Sequence, residues 1–191
     1  MRPAPSKALH FVDIETTGLN VSRAEIIEIA IISDLPNGKS YFFSTKIKPN
    51  SLKLADPLAL KLNGYEEALW KDAPTLNEVI NQIYLKLKGG VIVGHNVHFD
   101  LRFLNHAFEK YRLPRLGRRS IDTITLAYEH LPTKSKSLRA CRMFFKMSLM
   151  GSHRALKDCE DMREIYYRLI RAGALQRAWW KFWFFWRSHE I

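Results

Sequence analysis

Residues 8–19 read Ala-Leu-His-Phe-Val-Asp-Ile-Glu-Thr-Thr-Gly-Leu, and their first eight residues decide the fold. Ala8–Glu15 has the apolar, branched and aromatic texture of a strand, and Thr16-Thr17-Gly18 ends it with turn residues. Side chains two apart on a strand project from one face, so Asp13 and Glu15 lie side by side among Phe11, Val12 and Ile14. An unpaired carboxylate is costly to bury there. Two together must push a pKa up or hold a cation.

The neighbouring segments complete a sheet. Ile26–Ser33 is nearly all apolar, as a central strand is, and Asn37-Gly38 is a hairpin turn signal leading into a third strand over Lys39–Lys48. These three predict an antiparallel meander. Leu54–Leu62 and Thr75–Leu87 follow as helices, the second opening on a Thr75/Glu78 capping box. Val91–Gly94 reads as a short buried strand, Phe99–Tyr111 as a helix, and Ser120–Ile121 as a last strand before a helix through Leu131. Ser137–Phe145 and Ala155–Ile170 complete the helices. Strands first, then strand–helix alternation, predicts an α/β chain with a mixed sheet flanked by helices. Gly173 fits a helix C-cap, which divides the chain into a domain over 1–172 and a tail over 173–191.

The composition fits one domain with an appendage. Of 191 residues, 47% are apolar and 12% aromatic, enough to bury a core and to exclude disordered or disulfide-dense classes. Cys141 and Cys159 lack metal-ligand spacing and read as small fillers in a reducing compartment. Neither a secretion signal nor a run of ~20 apolar residues is present, so a soluble, intracellular, cytoplasmic protein is expected. The net charge of +11 is uneven: residues 1–90 carry 11 basic and 10 acidic side chains, residues 91–191 carry 19 and 9. Between 110 and 146 only Asp122 and Glu129 oppose ten lysines and arginines, so a polyanion such as nucleic acid is drawn to that side.

Further acids recur at helix starts. His95-Asn96-Val97-His98-Phe99-Asp100 follows the short strand, and His153-Arg154-Ala155-Leu156-Lys157-Asp158 opens the last long helix. Four acids on one strand and two helix starts, were they to converge at one end of the sheet, would supply hard oxygen donors, which suit Mg²⁺ or Mn²⁺ better than zinc. Two such ions stabilise the entering and leaving oxygens in phosphodiester cleavage, and a nearby histidine can take a proton from water.

Phe-Val-Asp13-Ile-Glu15-Thr-Thr-Gly-Leu19, His95-Asn96-x-x-Phe99-Asp100-x-x-Phe103-Leu104 and His153-Arg-Ala-Leu-x-Asp158 resemble, in order and spacing, the three motifs of the DnaQ-like, DEDDh 3′→5′ exonucleases. The resemblance runs from about residue 8 to 170 and implies a ribonuclease-H-like fold and two divalent cations, Mg²⁺ or Mn²⁺. It implies that Asp13 bridges both metals, Glu15 holds one and meets the terminal 3′-hydroxyl, Asp158 ligates the first, and Asp100 serves the second. His153 becomes the general base. Thr16 and Leu19 would contact the terminal nucleotide, and Phe103 would pack near its base or sugar. His95, Asn96, Asp122 and Thr123 read as structural hydrogen-bonding residues, His98 and His106 as surface residues, and Asp161 and Glu164 as a solvated face.

Beyond the resemblance, residues 174–191 read ALQRAWWKFWFFWRSHEI. On a helical wheel Leu175, Trp179, Phe182, Trp183 and Trp186 share a face, with Arg177, Lys181 and Ser188 roughly opposite. Docking on its own domain, in a homodimer or on a protein partner is the first expectation, ahead of peripheral membrane contact and of base stacking. The chain is therefore expected to hydrolyse single-stranded DNA or RNA 3′ ends to 5′-mononucleotides. The alternatives are a catalytically silent nucleic-acid-binding or interaction module of the same fold, or an enzyme confined to short oligonucleotides.

Overall fold

Alternation along residues 9–16 sorts the first strand between two helical layers. The computed structural model describes residues 4–117, 119–150 and 154–187, with side chains as far as residue 173. Strands β1 (Leu9–Thr16), β2 (Ile26–Asp34), β3 (Ser40–Lys46), β4 (Val91–Gly94) and β5 (Ser120–Asp122) form one sheet in the order β3-β2-β1-β4-β5. The meander is present: β1 pairs antiparallel with β2, and β2 with β3. The other half is parallel, with Phe11 opposite Val93 and Val93 opposite Ile121.

On one face Val12, Ile14, Ile29 and Ile31 pack against Ile80 and Ile83 of α3 (Leu76–Leu87) and Leu104 and Phe108 of α4 (Val97–Lys110). On the other, Leu9, Phe11, Ala30 and Ile32 pack against Ala155, Cys159, Met162 and Tyr166 of α7 (Ala155–Arg187). Helices α5 (Thr123–His130) and α6 (Leu138–Phe144) add a smaller cluster on α7 around Ala127, Cys141 and Ile165. Both cysteines are free and buried, as the sequence predicts.

The boundaries differ in instructive places. Helix α1 (Pro57–Leu62) starts later than Leu54 because the Asp56 side chain accepts from Leu58 N at 2.8 Å and Pro57 takes the first helical position. A single turn, α2 (Glu67–Trp70), escapes sequence reading; it buries Trp70, whose Nε1 donates to the Ile27 carbonyl at 2.7 Å. Helix α7 does not stop at Gly173 but continues to Arg187. Gly173 marks a close approach rather than a cap, since a Cβ there would lie 2.7 Å from the His130 imidazole of α5. The aromatic residues beyond it lie outside the described side chains.

Gly94 sets the link between β4 and α4. A Cβ on it would stand 2.7 Å from the Cα of Val97, against backbone that cannot swing away. Gly94→Ala is expected to lower unfolding stability by about 1–3 kcal/mol, the usual range for overpacking, as read from urea midpoints. An unchanged midpoint would mean that the β4–α4 turn can shift.

Candidate active site

The alternation that places Phe11 under α7 also turns Asp13 and Glu15 toward that helix, beyond the last apolar contact. Asp158 lies in the first turn of α7, beside Cys159, whose Sγ is 3.0 Å from the Phe11 carbonyl. This seating brings Asp13, Glu15 and Asp158 together, with one carboxylate oxygen of each within 4.8 Å of the others. Asp100 sits in the first turn of α4, 4% exposed, and its Oδ1 accepts from the Ile14 N–H at 3.2 Å, between the two acids of β1. The turn before α4 is fixed by Asn96 in the left-handed region (φ 73°) and by its N–H donating to Asp122 Oδ1 at 3.1 Å. His95 bonds Thr123 Oγ1 at 2.8 Å, and Asp122 caps α5 through Ile124 N at 2.9 Å, the structural roles the sequence gives them.

Crowding distorts the titration of these groups. Burial, then the charges of Asp100, Glu15, Asp158 and Glu28, raise Asp13 well above the carboxylate range. Glu15 is pushed up to about 8 by burial and by Asp158 and Glu28, against the pull of Arg154. Asp100 is raised by burial although two backbone hydrogen bonds oppose it. Mutually repelling carboxylates in a partly buried site are relieved by a cation, and an all-oxygen donor set suits a hard divalent ion. The residues fit Mg²⁺ or Mn²⁺.

Two neighbours and one correction emerge only in three dimensions. Glu28 is paired opposite Glu15 in the β1–β2 register, is 6% exposed, and accepts from the Ala155 N–H beside Arg154. Its signal was a lone acid within the apolar run IIEIAII. Arg142, counted in the sequence among polyanion-attracting cations, is instead internal at 1% exposed and paired with Asp158. Asp161 is not on a solvated face: it is 4% exposed and meets Arg142 and Lys157, because that side of α7 turns under α6. Glu164 does pair with Arg168 four residues on.

The three residues expected to contact substrate divide. Thr16 is buried, its Oγ1 donating to the Gly18 carbonyl at 2.7 Å while its own carbonyl accepts from Asn63 Nδ2 at 2.9 Å. Leu19 stands 75% exposed on the turn, which Arg102 Nη2 tethers at the Leu19 carbonyl at 3.3 Å. Phe103 is 3% exposed, packed in the core with its centroid 4.9 Å from that of Phe99. Pressing α4 onto the sheet turns Phe103 inward. His98 and His106 are exposed. His153 lies outside the described residues, and so do the side chains of the aromatic tail. Among the described residues no helix is long and apolar enough to cross a membrane.

Residues 11–166 match the family model described as exonuclease, well over half of the chain. The chain belongs to the exonuclease family. Within this family, the DNA polymerase III subunit epsilon of Aquifex aeolicus is 29% identical over 172 residues, a match that covers 90% of this chain and 82% of that protein. The 3′-5′ exonuclease DinG of Staphylococcus epidermidis is 36% identical over 148 residues, covering 77% of this chain but 16% of that one. The chain spans 11% of the length of the PolC-type DNA polymerases III that it also matches. Among solved structures, E. coli Exonuclease I in complex with a dT13 oligonucleotide aligns with a TM-score of 0.78 at 14% identity, over 91% of this chain and 43% of that one. That likeness concerns the fold, a ribonuclease-H-like mixed sheet flanked by helices, as the sequence predicts.

Proposed function

We propose that this exonuclease-family chain removes 5′-mononucleotides from the 3′ ends of single-stranded nucleic acid, DNA or RNA, using two divalent cations, Mg²⁺ or Mn²⁺. The observation that carries the reading is the convergence of Asp13, Glu15 and Asp158 within 4.8 Å, with Asp100 hydrogen-bonded between the two β1 acids. Similarity to a protein named as a 3′-5′ exonuclease supports the direction, and the fold shared with a nuclease solved on dT13 supports a single-stranded substrate.

Asp13, Glu15 and Asp158 hold the cations, with Asp100 completing the set directly or through water. The cations, when bound, polarise the scissile phosphate and stabilise the attacking and leaving oxygens. Glu15 orients the terminal 3′-hydroxyl, His153 takes the proton of the attacking water, and exposed Leu19 packs on the terminal nucleotide. Thr16, held from behind by Asn63, shapes the backbone on which that nucleotide rests. Exposed cations of the 110–146 stretch, among them Lys134, Arg139 and Lys146, attract the remaining strand.

Digestion of matched DNA and RNA oligonucleotides labelled at the 5′ end tests this. A ladder shortening from the 3′ end with Mg²⁺ or Mn²⁺, and abolished by EDTA, is the expected result. Tight strand binding without metal-stimulated shortening would instead favour the silent module, and cleavage that persists in EDTA would sink the metal-dependent reading.

A further inference from the structure

A buried arginine reaches the metal-facing turn of α7 from a different element. Helix α6 opens on Ser137, whose Oγ accepts from Ala140 N at 3.2 Å, and this fixes the direction in which Arg142 leaves the helix one turn later. Arg142 is 1% exposed. Nη2 donates to Asp158 Oδ1 at 2.5 Å, and Nε lies 2.7 Å from Asp161 Oδ2. Asp161 is held in turn by Lys157 Nζ at 2.5 Å. Asp158 and Asp161 are three residues apart and face one way on the helix, so one planar fork spans both.

We propose that Arg142 is a positioning residue for the metal site: by binding both carboxylates it fixes the rotation of Asp158 and holds that side chain aimed at Asp13 and Glu15. This inference rests on the metal-dependent reading above. A lone carboxylate at the start of a helix samples several rotamers, and each loses entropy when a cation arrives. Hydrogen-bonding one oxygen to a rigid guanidinium makes that selection in advance, as partners of metal ligands commonly do. Arg142 is also a positive charge close to the cations, so the opposite outcome is physically available: if it merely repels them, deleting it tightens binding.

The test is Mn²⁺ binding to the full chain by titration calorimetry, with melting curves in EDTA to establish folding. Arg142→Met is expected to weaken Mn²⁺ binding by about 10-fold or more, the usual cost of losing such a partner. Arg142→Lys keeps the charge but not the fork and should recover part of the loss. Asp161→Asn leaves Arg142 in place but loosens its second anchor, so affinity should fall in the same direction; this variant carries the test if Arg142→Met does not fold. Unchanged or tighter Mn²⁺ binding by folded Arg142→Met, or unchanged binding by Asp161→Asn in its place, overturns the proposal. A wild-type chain that takes up no Mn²⁺ overturns both this inference and the metal-dependent function beneath it.

Discussion

Asp13→Asn is expected to lower hydrolysis by at least about 10³-fold while raising the melting temperature of the metal-free chain. The two effects share a cause. Asp13 lies within 4.8 Å of Glu15 and Asp158, and burial together with four neighbouring acids holds its carboxyl far above the usual range. Asparagine keeps the shape and does not ionise, so the folded metal-free chain no longer has to hold a proton there that the unfolded chain releases. The same substitution takes away a ligand of the proposed cations, which would contribute several kcal/mol of charge stabilisation, and about 1.36 kcal/mol corresponds to a factor of ten in rate. Initial rates on a 5′-labelled oligonucleotide and calorimetric melting in EDTA measure both. A variant that is inactive and also less stable would recast Asp13 as a structural residue; one that keeps its rate would remove it from the site.

The second large effect is on stability against pH. Without metal, the chain is expected to lose stability steadily between about pH 6.5 and 8. The Glu15 carboxyl titrates near 8 when folded against an ordinary 4.5, so across that interval the folded chain holds a proton that the unfolded chain has released. Unfolding then becomes easier as pH rises, and Asp13 and Asp100, shifted upward too, act in the same sense. His10 and His95, lowered from 6.5 by burial, oppose this only below that value. Asp34 is pushed up by burial but held lower overall by Arg163, Ser40 and Tyr167, and its contribution is confined to more acidic solution. Saturating Mn²⁺ should flatten or reverse the slope, because the ligands must be deprotonated to bind. Melting temperatures across the interval, with EDTA and with Mn²⁺, check this. A slope identical in both buffers would separate the acid cluster from metal binding.

Period-two alternation made the sheet legible: Phe11 against Val12 and Ile14 assigns both faces of β1, and Asn37-Gly38 announces the meander. Asp13 and Glu15 could be paired from spacing alone; Asp100 and Asp158 stood out as acids at helix starts and as motif positions, but nothing local says that two helix starts meet one strand. Arg142 was illegible for a related reason. In sequence it is one cation among ten, and only the crossing of α6 over α7 makes it internal. Glu28 left a weak trace, an acid inside an apolar run, whose meaning depends on the β1–β2 register. Gly173 misled because a glycine after a helical stretch resembles a cap when the helix packed against it cannot be seen. The depth to which α4 sinks into the core, which buries Phe103, is likewise not written in a motif position.

Strand β1 occupies the middle of the five, paired with β2 from Leu9 to Thr16 and with β4 from Leu9 to Phe11, and covered by helices on both faces. Its amides should therefore be among the slowest to exchange with heavy water, whereas the turn carrying the exposed Leu19 opens in shallower excursions. During such an excursion the Leu19 turn loosens first, and the two acids of β1 keep their spacing until β1 parts from β2.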